Sequence, residues 1–126
     1  MAGIGAVQHI LVVDDDPAIR DVVTDILEMS AYVVETASNG AEALAAIRHS
    51  PPAAVLLDLM MPVMDGWEFL RQCRQEAPCA PVPVAIMSAA RDASLAAGAY
   101  GAQAFLAKPF ELEAVLEVVE RLAGSE

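Results

Sequence analysis

Five polar side chains in this sequence each close an apolar run. Asp14 and Asp15 follow Ile10-Leu11-Val12-Val13, and Asp58 follows Val55-Leu56-Leu57. Ser88 ends the run from Val82 to Met87, and Lys108 follows Ala104-Phe105-Leu106-Ala107. Three carboxylates gathered in one pocket repel each other and stay ionised together only if a cation shares the site. An all-oxygen set suits a hard ion, and a few carboxylates completed by water suit Mg²⁺. Lys108 would not join such a metal, but its ammonium can hold an anion to which the Ser88 hydroxyl also donates. Metal, ammonium and hydroxyl around one carboxylate make a site for phosphoryl transfer, where positioning and charge neutralisation carry most of the catalysis. Asp58 is then the candidate nucleophile, through an acyl phosphate.

Such a gathering needs elements that end on one edge. Ile10–Val13 is a β-branched run and reads as the first strand. Asp16 before Pro17 is an N-cap followed by a favoured first helical residue. Ile19, Val22, Val23, Ile26 and Leu27 then repeat at helical spacing to about Ser30. Tyr32–Thr36 is the second strand, Ser38-Asn39-Gly40 a turn and cap, and Ala43, Leu44 and Ile47 mark a helix stopped by Pro51-Pro52. Ala54–Leu57 is the third strand. Asp65-Gly66 reads as a turn, followed by a helix from Trp67 to Gln75 with Leu70 and Cys73 inward. Pro78, Pro81 and Pro83 stiffen the way to the fourth strand, Val82–Met87. Ala93–Ala102 is a weak helix, since Gly98 and Gly101 each cost it about 1 kcal/mol relative to Ala. Ala104–Ala107 is the fifth strand, and Leu112, Val115, Leu116, Val119 and Leu122 form a last amphipathic helix. Five strands alternating with five helices imply one doubly wound parallel sheet, covered on both faces. Sites in such sheets lie at the carboxyl ends of the strands.

The whole chain of 126 residues suits one domain with one core. Its 18 acidic against 7 basic side chains leave a formal charge of −11, which disfavours direct binding of nucleic acid or of an anionic membrane surface. No apolar run reaches the roughly 20 residues of a membrane span, and the N-terminus lacks the basic and apolar regions of a signal peptide. A cytoplasmic protein is expected, with Cys73 and Cys79 read as a reduced pair in preference to the alternative, a disulfide.

The motifs ILVVDDDP, LLDLMMPVMDG, IMSA and FLAKPF, taken in that order and at that spacing, resemble the response-regulator receiver domains of two-component signalling, the CheY-like family. The resemblance runs from about His9 to Leu122. It implies the flavodoxin-like sheet order 2-1-3-4-5 and a single receiver domain over residues 1–126, with a core of about 9–122 and no output domain. It implies Asp58 as phosphoacceptor and Asp14 and Asp15 as the acidic pair, with Asp15 the direct Mg²⁺ ligand and Asp14 acting through water. The backbone carbonyl of Met60 completes the implied metal set. Ser88 matches the family's hydroxyl position, Lys108 the phosphate-binding lysine, Phe105 the aromatic switch position, and Pro109 a cis peptide bond. Met60 and Ala90, which flank the phosphorylation site, carry no polar side chain.

The implied function is a phosphoacceptor switch. A histidine kinase or phosphotransfer protein donates a phosphoryl group to Asp58, and a changed surface over 93–102, Phe105 and the first turns of the last helix binds a protein target. Such a chain is not an enzyme beyond catalysing its own phosphorylation and dephosphorylation, and is expected as a monomer or weak dimer. The competing reading is an interaction module of the same fold that works without phosphorylation. A flavodoxin-like cofactor enzyme is disfavoured, because Asp14-Asp15-Asp16-Pro17 would repel phosphate where such enzymes need a loop of small, uncharged residues.

Overall fold

The computed structural model describes residues 9–89 and 101–123. Strands β1 (His9–Val13), β2 (Val33–Ala37), β3 (Ala54–Asp58), β4 (Val84–Ser88) and β5 (Ala104–Ala107) form one sheet in the order β2-β1-β3-β4-β5, all pairs parallel. Among the described residues there are four helices, α1 (Pro17–Glu28), α2 (Gly40–His49), α3 (Gly66–Cys73) and α4 (Leu112–Ala123). The helix expected across 93–102 lies outside the described residues except for Gly101 and Ala102, as does Ala90. No described helix is long and apolar enough to cross a membrane.

The strand pleat explains why the three central strands read as unbroken apolar runs. Successive side chains point to opposite faces, and both faces of β1, β3 and β4 are covered. Leu11, Val13, Val55, Leu57, Val84 and Ile86 face α2 and α3, with Leu44, Ile47, Phe69 and Leu70. Ile10, Val12, Leu56 and Met87 face α1 and α4, with Val23, Leu27, Val115 and Val119. β2 is an edge strand and is mostly exposed, which fits the isolated Glu35 and Thr36 in its sequence.

Helix starts follow from local chemistry. Asp16 accepts from the Ala18 N–H, Asn39 from the Glu42 N–H and Asp65 from the Glu68 N–H, each satisfying a donor that the first turn leaves unpaired. Asp65-Gly66 is therefore a helix start rather than only a turn. Glu42 reaches back to the backbone N–H and hydroxyl of Ser38, and these bonds hold its carboxyl below the ordinary value.

Two expectations are corrected. Val22, expected in the apolar stripe of α1, is 52% exposed, because α4 covers only one side of that stripe. Cys73 and Cys79, expected as a reduced pair, are joined in a disulfide. The connection after α3 turns back through bonds such as Cys79 N–H to Glu76 O, which brings the two sulfurs together in the core.

Candidate functional site

The carboxyl edge of the sheet gathers the five polar strand-end residues. Asp14 lies one residue beyond β1, Asp58 and Ser88 are the last residues of β3 and β4, and Lys108 follows β5. Parallel pairing sets their height: Val13 is level with Leu57, Asp58 with Met87, and Ser88 with Ala107. The Lys108 N–H donates to the Ser88 carbonyl at 2.9 Å, extending the β4–β5 ladder by one bond. Lys108 and Pro109 are joined by the expected cis peptide bond.

Asp14, Asp58 and Ser88 are the buried polar residues of the described chain, while Asp15 is exposed. The Lys108 ammonium donates to Asp14 Oδ2 at 2.9 Å and to Asp58 Oδ1 at 3.2 Å. Asp14 Oδ1 accepts from the Asp16 N–H. Carboxylate oxygens of Asp14, Asp15 and Asp58 come within 4.8 Å of one another. Burial pushes the Asp58 carboxyl above its ordinary value, and the Asp14 charge adds to this, while Lys108 pulls the other way without cancelling them. For Lys108, burial opposes the charge, but its bonds to Asp14 and Asp58 outweigh burial and raise it. Three carboxylates against one ammonium leave two negative charges, the deficit a divalent cation would fill. The donors are all oxygens, and one of them is solvent-exposed, so the set fits a hard, partly hydrated ion such as Mg²⁺.

The loop beyond Asp58 is braced by close backbone contacts. The Gly66 N–H donates to Leu59 O, and the Gly40 N–H to Met64 O. A Cβ at Gly66 would stand 2.6 Å from the Asp58 carbonyl oxygen and 2.8 Å from Leu59 Cα. That role was hidden in the sequence, where Asp-Gly signals only a turn. Met60, two residues beyond Asp58, is 76% exposed. Phe105 is half-buried against the α2–α3 core. Sequence reasoning also passed over Arg20, whose guanidinium donates to the Asp14 carbonyl at 2.6 Å.

The chain is similar to known proteins over most of its length. The family model described as "Response regulator receiver domain" matches residues 10–120. The response regulator MprA of Mycobacterium sp. (strain KMS) is 42% identical over 108 residues, covering 86% of this chain and 47% of that protein. The chain thus spans about half the length of that curated relative. Chemotaxis protein CheY4 of Vibrio cholerae superposes with a TM-score of 0.86 at 33% identity, over 93% of this chain and 99% of that one. The receiver domain of sensor histidine kinase PA1611 from Pseudomonas aeruginosa, solved with magnesium coordinated in its active site cleft, gives 0.86 at 29% identity, over 95% and 100%.

Proposed function

The chain belongs to the response regulator receiver domain family, and from that premise we propose that Asp58 accepts a phosphoryl group with the help of Mg²⁺. The observation that carries this reading is Lys108 bridging two buried aspartates, Asp14 and Asp58, beside a third, Asp15. An Asp58 oxygen attacks phosphorus; the new O–P bond forms as the P–N bond of a phosphohistidine, or the P–O bond of acetyl phosphate, breaks. Asp15, Asp58 and the Met60 carbonyl are the direct metal ligands in this proposal, with Asp14 acting through water, and bound Mg²⁺ would supply charge neutralisation on the phosphoryl oxygens. Once Asp58 carries the phosphoryl group, Lys108 exchanges its Asp58 contact for a phosphoryl oxygen, and the Ser88 hydroxyl donates to another. Phe105, two residues before the end of β5, then moves further into the space beside Ser88 and passes the change to the surface.

The donor in this reading is a histidine kinase or phosphotransfer protein, and the output is a protein target. An apolar groove of about 390 Å³, lined by Ile19, Val22, Ala89, Pro109 and Phe110, opens beside Lys108. In this reading it offers a protein donor an apolar surface beside Lys108.

The test is intact-mass spectrometry after incubation with acetyl phosphate. The expected result is one phosphoryl adduct that requires Mg²⁺, is lost on chelation before the reaction, and is absent in Asp58→Asn. An unchanged adduct in Asp58→Asn would remove Asp58 from the role.

A further inference from the structure

We infer that Arg20 is a positioning residue for the metal site, acting through the peptide bond between Asp14 and Asp15. The inference rests on the phosphoacceptor reading above and concerns how the acid pair is held. Asp14 carries its own restraints: its N–H donates to Ala37 O, and its carboxylate binds the Asp16 N–H and Lys108. Asp58 is fixed as the last residue of a fully buried strand and by Lys108. Asp15 is different. It is exposed, and among the described residues its carboxylate has no hydrogen-bond partner. Its direction is set by the backbone that carries it.

Arg20 controls that backbone. Its guanidinium, on the first turns of α1, donates to the Asp14 carbonyl at 2.6 Å. That carbonyl belongs to the planar unit joining Asp14 to Asp15, so holding its oxygen fixes the unit's rotation and hence where the Asp15 side chain departs. Arg20 is itself placed by the helix, through its N–H bond to Asp16 O, and its charge is felt by Glu42. The loop is thus clamped between the end of β1 and α1, with Asp15 turned toward Asp14 and Asp58.

The charge of Arg20 gives the idea a sharp sign. A guanidinium near a divalent cation repels it, so electrostatics alone predicts that removing Arg20 tightens metal binding. Positioning predicts the reverse, because outer partners that orient metal ligands matter on the order of tenfold in affinity.

Mn²⁺ as the probe, counted by its free-ion electron paramagnetic resonance signal, separates the two in the unphosphorylated protein. Arg20→Met keeps the stem and removes the donors and the charge; Arg20→Lys keeps a donor and the charge. The expected result is binding weaker by on the order of tenfold in Arg20→Met and mostly recovered in Arg20→Lys. Melting of the metal-free forms is followed in parallel, since a merely structural arginine would lower the melting temperature and leave the affinity of the folded protein unchanged. Unchanged or tighter Mn²⁺ binding in Arg20→Met overturns the inference while leaving the phosphoacceptor reading intact. Failure of the parent to bind Mn²⁺ overturns the metal-assisted reading, and this inference with it.

Discussion

Lys108 holds two buried carboxylates with one ammonium, and that imbalance has a pH signature. Asp58 is raised by burial first and by Asp14 second. A carboxyl whose folded pKa lies above its unfolded one costs nothing when protonated in both states. The cost grows as pH rises past the ordinary value of 3.8 and through the raised folded value. Lys108, raised above 10.5, runs the other way: its contribution is complete below 10.5 and is lost as pH climbs through its folded value. Between these ranges the Asp58 cost is fully developed. In the metal-free protein, Asp58→Asn should therefore gain melting temperature over the parent at neutral pH, and the gain should shrink toward about pH 3.5. Mg²⁺ should raise the melting temperature of the parent at neutral pH and much less in acid. Calorimetry in EDTA and in Mg²⁺ checks both. A gain from Asp58→Asn that is as large in acid as at neutral pH would show that burial and Asp14 are not what strains the carboxyl.

At the scale of elements, the site depends on two connections packed without slack. α3 begins against the end of β3, where a Cβ on Gly66 would strike the Asp58 carbonyl and Leu59 Cα, both backbone atoms that cannot simply rotate away. Gly66→Ala should cost about 2 kcal/mol, in the range of overpacked interiors, and should slow acyl phosphorylation by displacing Asp58. Urea unfolding and the mass assay read these separately. The second connection runs from α3 to β4, closed by the Cys73–Cys79 disulfide at a sequence separation of 6. Arg74, next to it, donates to Ala80 O, Val82 O and Gly101 O, tying this connection to the chain that leads into β5. Closing so short a loop restrains the unfolded chain modestly, so reduction should lower stability by about 2 kcal/mol. Urea midpoints with and without dithiothreitol measure it, and Cys73→Ser should match the reduced parent and lose the effect of the reductant.

The whole molecule carries a formal charge of −11. Much of the acid faces out from two packed helices: Asp21, Asp25 and Glu28 on α1, and Glu113, Glu117 and Glu120 on α4. Such a surplus opposes compactness and repels small anions. Moderate salt shortens the range of both effects, to a Debye length of about 8 Å at 0.15 M. Raising NaCl from low values should therefore raise the melting temperature and speed phosphorylation by acetyl phosphate, an anionic donor. A rate that falls with salt would mean that the local field of Lys108 and the bound cation dominates the approach.

The sequence by itself determined the five parallel strands, two of the three described N-caps and which polar residues stand at the strand ends. Val55-Leu56-Leu57 can be read as a doubly covered strand because both faces of the pleat are apolar, and Asp16 and Asn39 can be read as caps because capping involves neighbours within three residues. The five strand-end residues follow for a related reason. In a parallel sheet every strand ends on the same edge, so a boundary recognised locally also gives a position in the site. Three features needed the tertiary structure, because each depends on a contact that no local pattern specifies. Arg20 looks like any helix arginine until α1 packs beneath the end of β1 and brings its guanidinium to the Asp14 carbonyl. Gly66 looks like a turn glycine until α3 folds back onto β3 with no room for a side chain. Cys73 and Cys79 pair because the bend after α3 returns the second sulfur to the first, a matter of backbone path rather than spacing. Periodicity reports what a segment buries; only the folded chain decides which atoms meet across segments.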